Sequence, residues 1–319
     1  MILVTGATGF IGHHLADRLQ ASGTPVRCLV RGTAKPRKVP GEAVSGDLVT
    51  GEGLQDALAG VDTVIHVAGV TKALRRQDYE AGNVTAAANL ARAAAGKVSR
   101  FVQVSSLAAI GPSLDGAPVD EDAAPHPVSH YGKSKLAGEK AVLEQIPDAV
   151  IVRPPVVYGP RDTGVFTLLK AISQGLVLEI SGGPRWFSAI YVADLVDGLL
   201  AAARSPQAPG RAYFLAYPQA SSWSDLADAA ARIMGKHPRV VRVPPAAAWA
   251  AGLCAEIWAR ASRRPGIVSR EKVAEARCRY WTCDTRRAAE ELAFTASTSL
   301  EAGLALTLPW YKDAGWLKY

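Results

Sequence analysis

The chain has 319 residues, of which 49% are hydrophobic and 20% charged, and its net charge is +7. This composition is typical of a folded protein with a large core, and the length suits two lobes. No apolar run is long enough to span a membrane, no signal peptide is expected before a strand that begins at residue 2, and no nucleic-acid-binding motif accompanies the positive charge.

A short apolar strand and a glycine-rich turn open the chain. Residues 2–4 lack polar alternation, which is typical of a strand buried on both faces of a parallel sheet. Glycines follow at every third position, namely Gly6, Gly9 and Gly12. A helix is predicted from Phe10 to the Ser22-Gly23 pair. Such a turn brings a diphosphate close to backbone N–H groups at the positive end of a helix, although an ordinary turn rich in glycine is the alternative.

Strands and helices then alternate over the first half of the chain. Further strands are predicted at 25–30, 43–45, 62–69, 100–106 and 149–153, and helices at 51–59, 78–95 and 129–146. This spacing predicts right-handed βαβ units. The expected fold is therefore α/β, with a doubly wound parallel Rossmann sheet.

Beyond residue 160 the alternation weakens. Helices are predicted at 163–175, 190–204, 221–235, 246–261 and 299–314, and the chain from 263 on is basic and irregular. Ser222 or Ser224 is the expected N-cap of the third of these helices. We expect a smaller C-terminal α+β substrate lobe over the carboxyl edge of the sheet, where ligands of such sheets bind. The predicted Rossmann domain is 1–155, with 186–215 returning to it, and the predicted substrate lobe is 156–185 and 216–319.

Candidate catalytic residues lie near the fifth strand and the helix that follows it. Tyr131 and Lys135 are four positions apart, so they share a helix face. A lysine beside a tyrosine is expected to lower the pKa of the phenol and prepare it for proton transfer. Ser106 ends the fifth strand, and its hydroxyl could hydrogen-bond a substrate oxygen. A nicotinamide placed by the glycine turn would complete a hydride-transfer site, whereas an isolated pair of this kind is more often a surface tyrosine and a solvated lysine.

Several segments together resemble the extended short-chain dehydrogenases/reductases of the NAD-dependent epimerase/dehydratase superfamily. They follow the family's order at 5–12, 46–48, 66–69, 83–84, 104–106, 131–135 and 153–160, with a weaker match at 190–194. The stretch 183–190 is similar to the branch with dihydroflavonol reductases and 3β-hydroxysteroid dehydrogenases. The resemblance implies an NAD(P)-dependent oxidoreductase.

The resemblance also implies residue roles. Tyr131 would be the proton donor or acceptor, and Lys135 would bind the nicotinamide ribose and tune Tyr131. Ser106 would orient the substrate, with Ser105 as the alternative. The implied cofactor-binding positions, besides Tyr131 and Lys135, are Gly6, Thr8, Gly9, Phe10, Ile11, Arg31, Asp47, Leu48, Val67, Ala68, Gly69, Pro154, Pro155 and Val156. Asp47 could instead be a turn residue.

Basic residues at the end of the second strand bear on the choice of cofactor. A carboxylate there would bind the adenosine ribose and repel a 2′-phosphate, but the chain has Arg31, followed by Lys35, Arg37 and Lys38. A guanidinium binds phosphate through two parallel hydrogen bonds. We therefore expect NADP(H) to be preferred, with NAD(H) possible. The alternative is that Arg31 is a solvated loop charge.

Two departures from the nucleotide-sugar enzymes of this family bear on the substrate. Those enzymes usually carry an asparagine where this chain has Val156, and an Arg-Asp pair that 183–190 lacks, although Arg185 could still bind a phosphate. The leading hypothesis is an oxidoreductase that interconverts a ketone and a secondary alcohol on a steroid-like, polycyclic or long-chain substrate. The alternatives are a nucleotide-sugar epimerase or dehydratase with tightly bound NAD(P), and a non-catalytic cofactor-binding protein.

The segment 244–261 decides how a lipophilic substrate would be held. Trp249, Leu253 and Ile257 are four apart and form a bulky apolar helix face. This helix could roof an apolar cleft with Trp186, Phe187 and Val156, or pack as ordinary core. With the nearby Arg260, Arg263, Arg264, Arg270 and Lys272, it could also make a weak contact with an anionic membrane surface.

Composition and cysteine content also bear on the expected partners, metals and location. A small-molecule substrate is expected and no nucleic acid, and a homodimer is possible. The four cysteines are too few and scattered for a disulfide framework or a zinc site, so no metal and a cytoplasmic location are expected.

Overall fold

A computed structural model describes residues 1–32, 39–262 and 270–319. The described strands are β1 (Ile2–Thr5), β2 (Val26–Val30), β3 (Glu42–Ser45), β4 (Thr63–His66), β5 (Arg100–Val104), β6 (Val150–Val152), β7 (Val156–Tyr158), β8 (Leu176–Ile180), β9 (Trp186–Phe187), β10 (Ala189–Tyr191), β11 (Ala212–Tyr213), β12 (Ser221–Ser222), β13 (Arg239–Val243) and β14 (Tyr280–Trp281). The described helices are α1 (Phe10–Ala21), α2 (Leu54–Leu58), α3 (Arg76–Glu80), α4 (Ala86–Ala94), α5 (His130–Leu143), α6 (Gly164–Ser173), α7 (Val192–Arg204), α8 (Trp223–Met234), α9 (Pro245–Ser262), α10 (Arg270–Arg277), α11 (Arg286–Leu292) and α12 (Leu300–Asp313).

Within the described residues, seven parallel strands form the central sheet in the order β11-β6-β5-β4-β1-β2-β3. The strand order reverses between β1 and β4, and crevices at such a point bind ligands outside the carboxyl ends of the strands. The predicted doubly wound α/β fold is confirmed.

Alternate residues of each strand face opposite helix layers. Val4 and Val102 pack with Leu195 against the layer that contains α1 and α7. Leu3 and Phe101 face the other layer, which contains α2, α4 and α5. Because helices cover both faces of the inner strands, most of their residues are buried and apolar, which is why their sequences lack alternation, whereas the edge strand β3 is largely exposed.

The helix predicted at 78–95 is interrupted. α3 continues into a π-helical turn, Ala81–Thr85, before α4 begins. The Asn83 side chain leaves this turn and bonds the backbone of Val70, accepting from its N–H at 2.7 Å and donating to its C=O at 2.9 Å. A π turn adds one residue per turn, which hydrophobic spacing did not reveal, and such turns are frequent at functional sites.

A separate core lies in the C-terminal part of the chain. There α6, α8 and α12 bury Leu169, Leu226, Leu304 and Tyr311. Ser222, rather than Ser224, caps α8, because its hydroxyl accepts from Asp225 N. Several two-residue strands and α10 were not predicted from the sequence, since such short strands carry no periodic signal. The predicted residue limits of the two lobes stay a prediction.

The helix predicted at 246–261 is α9. Among its described side chains Ala248 and Gly252 are buried; on the predicted apolar side, Trp249 is 46% exposed and Leu253 partly buried. The side chains of Ile257 and Arg260 and the whole of Arg263 and Arg264 lie outside the described residues. Among the helices of the described part, none is long and apolar enough to cross a bilayer.

Candidate active site

The glycine turn between β1 and α1 is too tight for side chains. Gly6 has φ +76°, and a Cβ there would lie 2.8 Å from the backbone nitrogen of Ala68. A Cβ on Gly12 would lie 2.3 Å from the Gly6 carbonyl oxygen. Gly9 N donates to that same oxygen at 2.8 Å. Larger residues at Gly6 or Gly12 would therefore force the turn open.

The start of α1 offers free backbone donors to a ligand. The whole first turn is described: Gly9 is the N-cap without a side-chain cap, and no acidic residue follows it there. Thr8 and Gly9 are exposed, while Phe10 and Ile11 are partly buried. Unsatisfied N–H groups and the positive end of the helix dipole favour an anion. These residues therefore fit the diphosphate of a dinucleotide.

A buried histidine anchors the end of β4 to the glycine turn. Thr5 Oγ1 lies 2.6 Å from His66 Nδ1 and accepts from Ala68 N at 3.2 Å. Burial, with a smaller contribution from the charge of Lys135, lowers the pKa of His66 to about 3. His66 is therefore neutral, and the segment from Val67 to Gly69 is fixed beside the turn.

The two serines after β5 have different surroundings. Ser105 is buried, and its hydroxyl donates to Glu139 Oε1. Ser106 is partly buried, accepts from Ala108 N at 3.2 Å, and lies close enough to Tyr131 to hydrogen-bond the phenol. Ser106, rather than Ser105, therefore stands beside the phenol.

The pKa of the Tyr131 phenol differs from the value expected from the sequence. Its pKa is raised to about 12 because burial dominates, while Ser106 lowers it and Glu275 and Tyr79 raise it further. The sequence-based expectation was a lowered pKa next to Lys135, and this is wrong for the protein as described. The ammonium of Lys135 instead donates to the Val104 carbonyl at 2.7 Å. Tyr131 consequently keeps its proton at neutral pH.

Lys135 lies between β5 and the segment after β4. It is only 6% exposed, and burial lowers its pKa to about 8, although Glu139 raises it. A Cβ on Gly69 would lie 3.5 Å from Lys135 Nζ and 3.0 Å from Asn83 Oδ1. The Asn83 amide also donates to Ser134 Oγ at 2.9 Å. Asn83 thus connects the π turn to helix α5; the family resemblance included Asn83, but spacing did not reveal this link.

A buried ion pair between Arg153 and Glu139 supports the cluster formed by Ser106, Tyr131 and Lys135. Arg153 donates to Glu139 through Nη2 at 2.7 Å and Nε at 3.1 Å, and both residues are buried. Glu139 is one helical turn after Lys135 and also accepts from Ser105. Arg153 is followed by Pro154, whose carbonyl accepts from Leu107 N at 3.0 Å. The pair therefore joins α5 to the ends of β5 and β6. Sequence reasoning gave it no role, although the four-residue spacing from Lys135 was a usable signal.

The outer cofactor positions are less closely connected to this cluster. Arg31 is exposed at the end of β2, and Lys35, Arg37 and Lys38 lie outside the described residues. Asp47 Oδ1 accepts from Val49 N at 2.7 Å and from Thr50 N at 3.2 Å, so this carboxylate braces its own turn.

The remaining predicted positions line the same edge of the sheet to different depths. Leu48 is partly buried. Pro154 is buried, whereas Pro155 and Val156 are partly exposed. Roles for these side chains toward a cofactor stay predictions.

Helix α10, which was not predicted, covers Tyr131. Lys272 Nζ lies 5.8 Å from the centre of the Tyr131 ring. Glu271 Oε1 accepts from the backbone N–H of His130 at 2.9 Å, at the first residue of α5. On the other side, the ring of Tyr79 lies 6.4 Å from that of Tyr131. The helix that lies next to the phenol is therefore α10, whereas α9 was only one of two alternatives considered for a roof. Phe187, expected in the cleft, is instead buried against Trp223.

A Rossmann sheet with a dinucleotide turn and a serine, tyrosine and lysine at one edge defines an NAD(P)-dependent oxidoreductase of the extended short-chain dehydrogenase/reductase type. Residues 2–216 match the family described as the NAD dependent epimerase/dehydratase family. The chain belongs to this family.

Several relatives similar in sequence are named reductases. One is "Ceramide reductase" of Caulobacter vibrioides, 33% identical over 320 residues, covering 99% of this chain and 96% of that protein. Another is "2-alkyl-3-oxoalkanoate reductase" of Shewanella oneidensis, 26% identical over 324 residues, covering 94% of this chain and 84% of that protein.

Solved structures of similar fold cover nearly the whole chain. The crystal structure of gox2253 has a TM-score of 0.82 and 26% identity, and covers 100% of this chain and 99% of its own. The structure of MoeE5 in complex with UDP-glucuronic acid and NAD has a TM-score of 0.78 and 27% identity, with coverage of 98% and 99%.

Proposed function

We propose that this protein reduces a ketone on a long-chain, lipophilic substrate to a secondary alcohol, with NADP(H) as cofactor and Tyr131 as proton donor. The observation that carries the proposal is the protonated Tyr131 phenol, beside Ser106 and one helical turn from Lys135, at the sheet edge that holds the dinucleotide turn. Since a purely structural relative has no physical need for this trio, the same observation argues against a non-catalytic protein.

The residues divide the chemistry as follows. The bound nicotinamide would supply a hydride to the carbonyl carbon. Ser106 would donate a hydrogen bond to the carbonyl oxygen and hold it beside the phenol. Tyr131 would give its proton to that oxygen as the negative charge develops, and solvent would return the proton afterwards. Burial raises the pKa of Tyr131 to about 12 before cofactor binds, so the phenol carries at neutral pH the proton that reduction requires.

Lys135 would serve the cofactor more than the phenol. Its ammonium lies at the boundary between β5 and the segment ending at Gly69, where a nicotinamide ribose would pass. The lowered pKa of about 8 leaves it charged at neutral pH. It would donate hydrogen bonds to the ribose hydroxyls and set the angle of the ring toward Tyr131.

The preference for NADP(H) rests on Arg31. Its position at the carboxyl end of β2 is where a carboxylate would bind the adenosine ribose in an NAD-specific site. An exposed guanidinium there can bind a 2′-phosphate with two hydrogen bonds.

The substrate class rests on the relatives and on two side chains. The relative named ceramide reductase aligns over 99% of this chain, so we propose a ceramide-type lipid in its keto form. Binding of a nucleotide sugar, as in MoeE5, is the competing function. Val156 offers no hydrogen bond to a diphosphate. Arg185 is occupied as well, since its guanidinium donates to the carbonyls of Ile180, Ser181 and Gly183.

Oxidation of NADPH tests the proposal. We expect turnover with a keto-ceramide in detergent micelles and no tight binding of UDP-glucose. Tight binding of UDP-glucose without turnover of any lipophilic ketone would favour the nucleotide-sugar function instead.

A further inference from the structure

Helix α10 brings a second lysine to the Tyr131 phenol. Lys272 Nζ lies 5.8 Å from the centre of the Tyr131 ring, within the roughly 6 Å at which an ammonium is attracted to an aromatic face. Lys135, the lysine of the family pattern, donates to the Val104 carbonyl at 2.7 Å. A positive charge outside that pattern therefore lies beside the ring of Tyr131.

Lys272 forms an ion pair with Glu275, which follows it after about one helical turn. Lys272 Nζ lies 2.7 Å from Glu275 Oε2, and the two side chains are 44% and 15% exposed. Among the residues that the structure describes, the other carboxylate oxygen, Glu275 Oε1, is buried and has no hydrogen-bond partner. Water screens such a carboxylate less than an exposed one, so its charge acts more strongly on neighbouring groups.

The charge of Glu275 acts on two phenols. Burial is the main cause of the raised pKa of Tyr131, and Glu275 raises that pKa further. Burial also raises the pKa of Tyr79, and the charges of Glu271 and Glu275 add to the increase. The two rings lie 6.4 Å apart. Helix α10 thus presents charges of opposite sign to the same phenol, a carboxylate that opposes its ionisation and an ammonium beside its ring.

Contacts on both sides of the ion pair fix the position of α10. Glu271 Oε1 accepts from the backbone N–H of His130 at 2.9 Å, at the start of α5. Trp281 Nε1 donates to the backbone carbonyl of Glu275 at 2.9 Å. Val273, between Glu271 and Glu275, is buried. The helix therefore holds the charges of Lys272 and Glu275 beside Tyr131.

The titratable groups around Tyr131 come from three helices of the described part of the chain. They are Tyr79 of α3, His130 and Lys135 of α5, and Glu271, Lys272 and Glu275 of α10. Tyr79 is neutral at neutral pH, because its pKa is raised. The ring of His130 lies 3.6 Å from Glu271, and Lys135 donates to Val104. The Lys272–Glu275 pair is the group of charges that combines an ammonium at the ring with a poorly screened carboxylate.

We propose that the Lys272–Glu275 ion pair sets the proton affinity of Tyr131, which makes both side chains positioning residues for proton transfer. Before the reaction, the carboxylate of Glu275 keeps the phenol protonated. When the phenol O–H bond breaks and its proton bonds to the carbonyl oxygen of the substrate, a negative charge remains on Tyr131. The ammonium of Lys272 stabilises this phenolate. The role in ketone reduction rests on the proposed function, whereas the effect of the ion pair on the phenol does not.

Fluorine NMR of the protein labelled with 3-fluorotyrosine tests this without cofactor or ketone. The fluorinated phenol is more acidic than tyrosine, which moves its titration to lower pH, and the signal missing from Tyr131→Phe assigns the resonance. Lys272→Met should raise the titration midpoint of Tyr131 by about one pH unit, because a stabilising positive charge is lost. Glu275→Gln should lower the midpoint by a similar amount, because the opposing negative charge is lost. The double variant Lys272→Met/Glu275→Gln should titrate close to the unmodified protein.

The opposite signs of the two shifts separate an effect of charge from an effect of structure. If Lys272 and Glu275 only held α10 in place, both variants would expose the phenol and both midpoints would fall, and that result would overturn the proposal. Midpoints that do not move would overturn it as well. The matched control is Lys140→Met, an exposed lysine of α5 roughly 14 Å along the helix from Tyr131, which should leave the midpoint unchanged.

Oxidation of NADPH with a ketone is the separate measure of the reductase. Because the phenol must carry its proton for reduction, kcat should fall at high pH, and Glu275→Gln should move this fall to lower pH. Absence of turnover with any ketone would contradict the proposed function, whereas the NMR titration would still decide the role of the ion pair.

Discussion

At the residue scale, the site depends on a difference between two adjacent serines. Ser105 is buried and donates to Glu139, whereas Ser106 lies beside the Tyr131 phenol. Ser106→Ala should therefore lower kcat by ~10²-fold or more, as expected for loss of an oxyanion donor, with little change in the melting temperature. Ser105→Ala is the matched control: it should cost about 1 kcal/mol of stability and leave kcat nearly intact. Steady-state NADPH oxidation and thermal unfolding measure both, and the reverse ranking of kcat would show that Ser105 orients the substrate.

Arg31 offers a second residue-scale prediction, on cofactor choice. Arg31→Asp should weaken NADPH binding and strengthen NADH binding, because the carboxylate repels a 2′-phosphate and accepts from ribose hydroxyls. Dissociation constants from cofactor fluorescence measure the change. Arg211→Asp, an exposed charge reversal at the amino edge of the sheet, should alter neither constant. Equal constants for NADPH and NADH in the unmodified protein would refute the assignment.

His66 predicts how stability depends on pH. Its pKa is about 3 in the folded protein and near the ordinary 6.5 once unfolded, so between these values the unfolded chain binds more protons. Stability should therefore fall as the pH is lowered from 6.5 toward 3. His66→Asn can keep the bond to Thr5 without titrating, and its free energy of unfolding should depend less on pH in that window. Urea unfolding across the window measures this, and parallel pH profiles would contradict it.

At the element scale, the Glu139–Arg153 ion pair connects helix α5 to the end of β6. Glu139→Leu should cost ~3–5 kcal/mol of unfolding free energy, because it leaves the Arg153 charge buried and unpaired. The matched control is Glu301→Leu in the exposed pair with Arg232, where both side chains are more than half exposed and the loss should be ~1 kcal/mol or less. Denaturant unfolding measures both. Equal losses would mean that the buried pair does not hold the site together.

The elements also show where sequence periodicity was sufficient and where it was not. Most strands of the central sheet up to β6 were predicted because each is a short apolar run between turns, and a strand covered on both faces must be apolar. The π turn around Asn83 was missed because its one extra residue lies in the short segment Ala81–Thr85, which carries no clear hydrophobic pattern. α10 was missed because Glu271, Lys272 and Glu275 give it a polar sequence. Its position is fixed by contacts with His130 and Tyr131 that are distant in the chain.

At the scale of the whole molecule, alternating strands and helices predicted both the sheet and its binding edge. The glycine turn, Ser106 and the Tyr131–Lys135 pair could be placed together because carboxyl ends of parallel strands meet at one edge. The protonation state of Tyr131 could not be predicted from the pattern of strands and helices, because its pKa depends on burial by α10 and Tyr79. The cover of the site comes from chain segments with weak patterns, so the sequence left open whether α9 is a roof and did not predict α10 over Tyr131.

The central claim is that a hydride from the cofactor and a proton from Tyr131 reduce a lipophilic ketone. NADPH deuterated on the transferred position should place one deuterium on the carbinol carbon of the product, detected by mass spectrometry after incubation with a keto-ceramide. Tyr131→Phe should reduce this incorporation by ~10²–10⁴-fold while the dissociation constant for NADPH stays nearly the same. No deuterium in the lipid, or undiminished incorporation by Tyr131→Phe, would contradict the account.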